Sequence, residues 1–452
     1  MDKHLDYQSI ACFAQDFEAS PKNLLALNAV TQSGAEGVAV SRPAIMRTQH
    51  AYSHQIETPK VTDQKSSGRC WLFAGLNILR LAAMQKMNLE KFELSQNYLM
   101  FWDKLEKANF FLENIIETKA EPLEGRLVAW LLQDPLADGG QWDMFTNLVK
   151  KYGVVPKFAM PETHSSSKSA PMNQMLVAAL RADARILRQM AEQGATPADM
   201  RREKTGMLNT FYRMLSIHLG QPPTSFLWEW RDKDKTFHRH PDDGGHITPL
   251  EFYEQYVGFD LDDLVCLIHA PTQDKPFQKI YTVQYLGNVV GGREVRYLNV
   301  DITTLKNASV EMIRAHKAVW FGCDVGKMMQ RDLGILDTEI YALELLYDTP
   351  IRLDKAARLD YGHSRMTHAM VLTGVDLDVS GNPIRWRVEN SWGEGLGDEG
   401  YMIMTDRWFE EYLYEVMVSR QFLSPALLAI LDIEPVVLPP WDPMGALAKA
   451  GI

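Results

Sequence analysis

Gln64-Lys65-Ser66-Ser67-Gly68-Arg69-Cys70-Trp71-Leu72-Phe73-Ala74-Gly75 sets a glutamine six residues before a cysteine, across a short polar loop, with an apolar run starting at the cysteine. From Trp71 to Met84 that run carries Leu72, Leu76, Leu79 and Ala83 at helical spacings, which places Cys70 at a helix start. The positive end of a helix macrodipole favours thiolate over thiol, so a cysteine there is a candidate nucleophile near neutral pH. A free cysteine is more often a small buried hydrophobe. Only a base and an orienting partner elsewhere in the chain distinguish the two.

Both occur in one later segment. His368 opens the apolar run His368-Ala369-Met370-Val371-Leu372-Thr373-Gly374, which reads as a strand. After the turn at Gly381-Asn382-Pro383 comes a second, Ile384-Arg385-Trp386-Arg387-Val388-Glu389, running into Asn390-Ser391-Trp392-Gly393. Antiparallel pairing of the two would bring the Asn390 amide to the His368 imidazole. Thiol hydrolysis needs a thiolate, an imidazole to share its proton and a group to fix the ring, and a neutral amide suits an already charge-balanced thiolate–imidazolium pair.

The Gln-x5-Cys-Trp-x-Phe-Ala pattern, His368 before its strand, and Asn390-Ser391-Trp392-Gly393 with Gly397 and Gly400-Tyr401 resemble papain-fold cysteine peptidases. Asp138-Gly139-Gly140-Gln141-Trp142, followed by Tyr152-Gly153-Val154-Val155-Pro156, is similar to the glycine pair at that family's substrate cleft. Glycines without Cβ atoms let an extended peptide approach their backbone. Length, the large segment between cysteine and histidine, and the ending Trp441-Asp442-Pro443-Met444-Gly445-Ala446-Leu447-Ala448 look like the bleomycin hydrolase and bacterial aminopeptidase C branch.

That resemblance implies a cysteine aminopeptidase acting on peptides with a free N-terminus. Cys70 would be the nucleophile, His368 the acid–base, Asn390 its orienter and Trp392 the shield over their hydrogen bond. Gln64 and the Cys70 N–H would form the oxyanion site, and Gly139 and Gly140 would line the cleft. The family pattern has the C-terminal segment lying in the cleft, with the carboxylate near Ala448 meeting the substrate amine. This chain departs from it by continuing through Lys449-Ala450-Gly451-Ile452. A homo-hexamer is likewise implied by the family. Two other classes fit parts of the pattern. Amide-transfer enzymes of the transglutaminase type also use Cys then His, but usually with an aspartate third. A non-catalytic nucleic-acid-binding scaffold would need none of the three together.

The formal net charge of -11 argues against a polyanion partner. Arg181, Arg185, Arg188, Arg201, Arg202 and Lys204 are interleaved with Asp183, Glu192, Asp199 and Glu203, as on a solvated helix face. Four scattered cysteines, at 12, 70, 266 and 323, give no disulfide framework and no metal-ligand spacing, so neither zinc nor another cofactor is expected. With a polar start, Met1-Asp2-Lys3-His4-Leu5-Asp6, and no long apolar span, the reading is a cytoplasmic protein that does not enter membranes.

The expected fold class is α+β, a papain-like two-lobe fold with a helical lobe, an antiparallel β lobe, a helical insertion and a C-terminal tail in the cleft. Residues 1–60 form an extension with a helix over Pro21–Val30, and 61–160 a helical lobe carrying the nucleophile, with Ser95 capping a long helix. Residues 161–250 read as a helical insertion opening on a Ser/Pro-rich linker from His164 to Pro171. Residues 251–435 form a β-rich lobe carrying His368 and Asn390, with strands at Ile280–Leu286, Val289–Asn299 and Val319–Asp324. The tail is 436–452. The active site falls between the lobes.

Overall fold

The computed structural model describes residues 3–351 and 353–449. Its helices follow the capping signals of the sequence. Asp6 caps α1 (Tyr7–Glu18), and Ser20 caps α2 (Pro21–Ala39), which therefore runs well past Val30 and is preceded by a helix the sequence reading did not anticipate. α3 (Cys70–Met87) begins at the cysteine and ends at Asn88 in the left-handed region. It is buried around its circumference, from Trp71 through Leu79, as befits the central helix of a large core. Ser95 caps α4 (Gln96–Glu117), its hydroxyl accepting the Tyr98 N–H at 3.1 Å. α5 (Arg126–Gln133) and α6 (Trp142–Tyr152) complete the helical lobe.

The insertion contributes α7 (Ala170–Glu192) and α8 (Pro197–Leu219), which pack on each other and on α4. Several of their basic side chains are engaged within the chain. Arg181 and Arg188 donate to the carbonyls of Gln133 and Glu121, while Arg201 and Lys204 both pair with Glu113. Two expectations are corrected here. His164–Pro171 is not a linker: His164–Ser167 forms a helical turn, and Pro171 sits in the first turn of α7, where its missing N–H costs nothing. The segment after α8 does not continue as helices but makes two short antiparallel pairs, the hairpin of Glu229–Arg231 with Phe237–Arg239 nested inside Phe226–Leu227 with His246–Ile247.

The second lobe is organised by one sheet that is mixed rather than purely antiparallel, since Ile335–Leu336, Leu267–Ile268 and Val436–Leu438 each pair parallel with a neighbour. Its strands are β1 (His54–Gln55), β2 (Leu264–Ile268), β3 (Lys279–Val283), β4 (Tyr297–Asn299), β5 (Val319–Cys323) and β6 (Met329–Gln330). The others are β7 (Ile335–Leu336), β8 (His368–Leu377), β9 (Pro383–Glu389), β10 (Tyr401–Thr405), β11 (Leu413–Ser419) and β12 (Val436–Leu438). The spatial order is β6-β7-β10-β9-β8-β5-β11-β2-β4-β3-β12, with β1 added alongside β8. β8 and β9 pair antiparallel, as the turn between them implied. The expected strand over Val289–Asn299 shrinks to Tyr297–Asn299, because Gly291 turns at positive φ and Arg293 is drawn away to Asn147 and Asp143 of α6. β1 and β12 carry the sheet into both terminal segments, so neither stands apart from the lobe. No helix among the described residues is long and apolar enough to cross a membrane.

Candidate active site

α3 lies against β8, which sets the first residue of the helix beside the first residues of the strand. Cys70 is 2% exposed and His368 5%. The backbone N–H groups around the Cys70 sulfur, of Ala369 first and then of Trp71 and Cys70, favour its thiolate. His368 Nε2 lies 2.9 Å from Asn390 Oδ1. The same Oδ1 accepts the Ser391 backbone N–H at 2.8 Å, and an amide N–H can only donate, so the Asn390 atom there is the oxygen. His368 must then carry its proton on Nε2, which leaves Nδ1 free to take one. The Trp392 ring sits 4.9 Å from the imidazole, tilted across it.

Burial pushes the Cys70 thiol up to about 11, against the pull of those N–H groups, and pushes the His368 imidazole down to about 4, against its bond to Asn390. Each group alone is therefore held neutral in the cleft. A charged state forms at least cost when the thiol proton passes to His368, because the two charges then appear together and attract across a poorly screened gap.

Gln64 is buried and fixed at both ends of its carboxamide. Nε2 donates to Ser67 O at 2.5 Å, and Oε1 accepts from Ser391 Oγ at 2.6 Å, leaving one Nε2 hydrogen unused among the described residues. Its backbone joins the same strip: Gln64 N donates to Ser391 O at 2.8 Å and Gly393 N to Thr62 O at 3.1 Å. Gly393 has φ +75°, and a Cβ there would lie 2.8 Å from Asp63 Oδ2, so only glycine fits. The glutamine loop and the Asn-Ser-Trp-Gly segment are thus zipped together from opposite lobes.

Gly140 packs on the nucleophile helix, where a Cβ would come within 2.6 Å of the Trp71 ring. The Gly139 carbonyl accepts from Lys107 Nζ at 2.6 Å. The tail runs beside them. Arg126 covers the Trp441 ring at 3.6 Å, Asp442 pairs with Lys275 at 3.0 Å, and the Met444 carbonyl accepts from both Gln141 Nε2 and Tyr297 Oη. Met444, Leu447 and Ala448 are buried. Lys449 Nζ donates to Asp134 O at 2.8 Å. Ala448 borders a cavity with Lys107, Phe111, Ala137 and Gly287, on the helical flank rather than at the sulfur. Ala450 to Ile452 lie outside the described residues.

The structure thus gathers Gln64, Cys70, His368, Asn390 and Trp392 at one place, sets Gly140 on the helix beneath it, and seats Ala448 to one side. Sequence reasoning missed the supports. Glu389, next to Asn390, is buried against α3, accepting from Arg80 at 2.5 Å and Asn77 at 2.9 Å. Asp138 accepts the Gly68 N–H at 2.9 Å and pairs with buried Lys104 at 2.6 Å, which holds its carboxyl well below the usual range despite burial. The signal was available: Asn77 and Arg80 interrupt an otherwise apolar helix, and a charge on a core face requires a partner.

A cysteine at a helix start in one lobe, beside a histidine that opens one strand of the other and an asparagine just past the end of the neighbouring strand, defines a papain-like thiol hydrolase. The Peptidase C1-like family pattern matches residues 4–445. Aminopeptidase C of Listeria monocytogenes is 45% identical over 99% of this chain and 100% of its own, and human bleomycin hydrolase is 44% identical over 98% and 99%. The crystal structure of PepW from Lactobacillus rhamnosis HN001 superposes with a TM-score of 0.96 at 47% identity, over 98% of this chain and 99% of that one. The chain belongs to the Peptidase C1-like family, in the branch that holds aminopeptidase C and bleomycin hydrolase.

Proposed function

We propose that this cysteine aminopeptidase removes N-terminal residues from peptides through a thioester on Cys70. The observation that carries the reading is the single Asn390 oxygen shared by His368 Nε2 and the Ser391 N–H, because it holds the proton on Nε2 and leaves Nδ1 as the nitrogen able to take the thiol proton. Nδ1 takes the Cys70 proton as the sulfur attacks the carbonyl carbon of the first peptide bond. The carbonyl oxygen becomes an oxyanion, met by the unused Gln64 Nε2 hydrogen and the Cys70 N–H. Collapse breaks the C–N bond, and His368 gives its proton to the departing amine. Water then attacks the thioester with His368 as base, releasing the amino acid and restoring the thiol. One oxyanion donor contributes about 3 kcal/mol in the transition state.

The docked tail supports exopeptidase action. The Met444 carbonyl held by Gln141, the residue after Gly139 and Gly140, and the burial of Met444, Leu447 and Ala448 support a fixed tail that limits how far a substrate extends past its first residue. Family precedent further suggests a homo-hexamer in the cytoplasm. The exposed apolar side chains Tyr7, Phe13 and Leu25 of α1 and α2 fit burial against another copy, and the four free thiols fit a reducing compartment. Nothing favours amide transfer, given Asn390 where an aspartate would stand.

Release of a fluorescent amine from aminoacyl amides tests the reading. Activity should vanish in Cys70→Ala and after thiol alkylation, and turnover surviving in Cys70→Ala would sink it.

A further inference from the structure

The loop from Gln64 to Arg69 has no apolar side chain to anchor it, and Lys65 within it sits at φ +54°, outside the regions most residues prefer. Its shape must come from hydrogen bonds, and four of those leaving the loop go to the first stretch of the insertion. Ser66 N donates to Ser167 O at 3.0 Å, and Ser169 N donates back to Ser66 O at 3.2 Å. The buried Arg69 guanidinium forks onto Glu162, with Nη1 to Oε1 at 3.1 Å and Nη2 to Oε2 at 2.8 Å. Ser166 Oγ holds that carboxylate from the other side at 2.6 Å.

From Glu162 a continuous path reaches the glutamine amide. Arg69 Nε donates to Ser67 Oγ at 2.9 Å, Ser67 Oγ donates to Gln64 O at 2.7 Å, and Gln64 Nε2 donates to Ser67 O at 2.5 Å. A second path runs through Asp138. Ser169 Oγ and Asn173 Nδ2 donate to its two carboxylate oxygens at 2.5 and 2.7 Å, and the oxygen that takes Ser169 also takes the Gly68 N–H.

We propose that the start of the insertion, Glu162 to Asn173, is the positioning element of the oxyanion site. Glu162 and Ser169 act through Arg69 and Asp138 to aim the Gln64 amide and the Cys70 N–H at the carbonyl oxygen. Glu162 is bidentate and shielded, and Ser169 and Asp138 are buried, so both paths are stiff in direction as well as length. Stiffness matters because an error of 1 Å in the placement of a reacting group can cost about a hundredfold in rate. The insertion then serves catalysis by holding a loop whose own residues cannot hold themselves. This inference rests on the assignment of Gln64 as an oxyanion donor.

The test compares Glu162→Gln, Ser169→Ala and Gln64→Ala by three measurements. These are kcat/KM for an aminoacyl coumarylamide, inhibition by an aminoacyl aldehyde, and the rate of Cys70 alkylation by iodoacetamide. Aldehyde addition places an oxygen in the oxyanion site, whereas alkylation displaces iodide at a CH2 group and uses no such site. Glu162→Gln and Ser169→Ala should each lower kcat/KM and aldehyde affinity by about tenfold, with alkylation across pH kept within about twofold. Unchanged kcat/KM and aldehyde affinity in both variants overturns the proposal, and so does alkylation falling in step with them. Ser169→Ala removes one hydroxyl, and its melting temperature shows whether the fold is kept. If Gln64→Ala leaves aldehyde affinity intact, the assignment of Gln64 fails instead, whatever the other two do.

Discussion

Breaking the Arg80–Glu389 pair should destabilise the protein in a pH-dependent way that differs between its two ends. The side chains are 3% and 1% exposed, the contact is 2.5 Å, and the pair bridges α3 to the residue before Asn390. Removing one partner strands the other in the core, at a cost of about 3–5 kcal/mol. In Arg80→Leu the stranded group is a carboxylate, which burial already pushes above its ordinary value. Without Arg80 it rises further and can shed its charge by binding a proton. The folded state then binds more protons than the unfolded one between the ordinary carboxylate value and the elevated one. Stability is therefore greatest below that window and falls as pH rises through it, by at most about 1.4 kcal/mol per pH unit. In Glu389→Leu the stranded group is a guanidinium that stays charged at every accessible pH, so the loss is flat. Arg80→Leu/Glu389→Leu should recover most of the stability, because no charge is left buried. Urea titration followed by tryptophan fluorescence at pH 5.5 and pH 8 measures all three. A pH-independent loss in Arg80→Leu, or a double variant as unstable as the sum of the singles, would refute the reasoning.

Removing the base should return Cys70 to its intrinsic behaviour. In His368→Ala, iodoacetamide alkylation at pH 7 should collapse and recover only as pH climbs toward the elevated thiol value of about 11, whereas an unshifted profile would mean the helix start alone makes the thiolate. Gly140→Ala should cost about 1–3 kcal/mol by overpacking the Trp71 ring and should also slow turnover, checked by melting temperature and kcat. Wild-type stability in that variant would show that the backbone there yields freely. Deleting residues 445–452 should let the enzyme cleave amino-blocked peptides, and if no such cleavage appears by mass spectrometry, the tail does not limit it to exopeptidase action.

Local backbone geometry made much of this protein readable without coordinates. Helical spacing after Cys70, the Ser95 cap and the Gly381-Asn382-Pro383 turn are short-range signals, and α3, α4 and the β8–β9 pair appear where they point. Serine-, proline- and glycine-containing runs misled, since His164–Ser167 closes a turn on its own Thr163–Ser166 capping box and is tied to Ser66, while Val289–Arg296 is drawn to α6. What the residues determined alone was the kind of chemistry: a thiol at a helix start, an imidazole on a strand, an amide just past the next strand, and their order along the chain. Tertiary structure decided how these groups are held. Arg80 finds Glu389 more than three hundred residues away, and Arg69 finds Glu162 across ninety-three. A buried charge announces in the sequence that it needs a partner. Which partner it gets depends on the lobes that close around it, because distance through space, not along the chain, sets the strength of an ion pair.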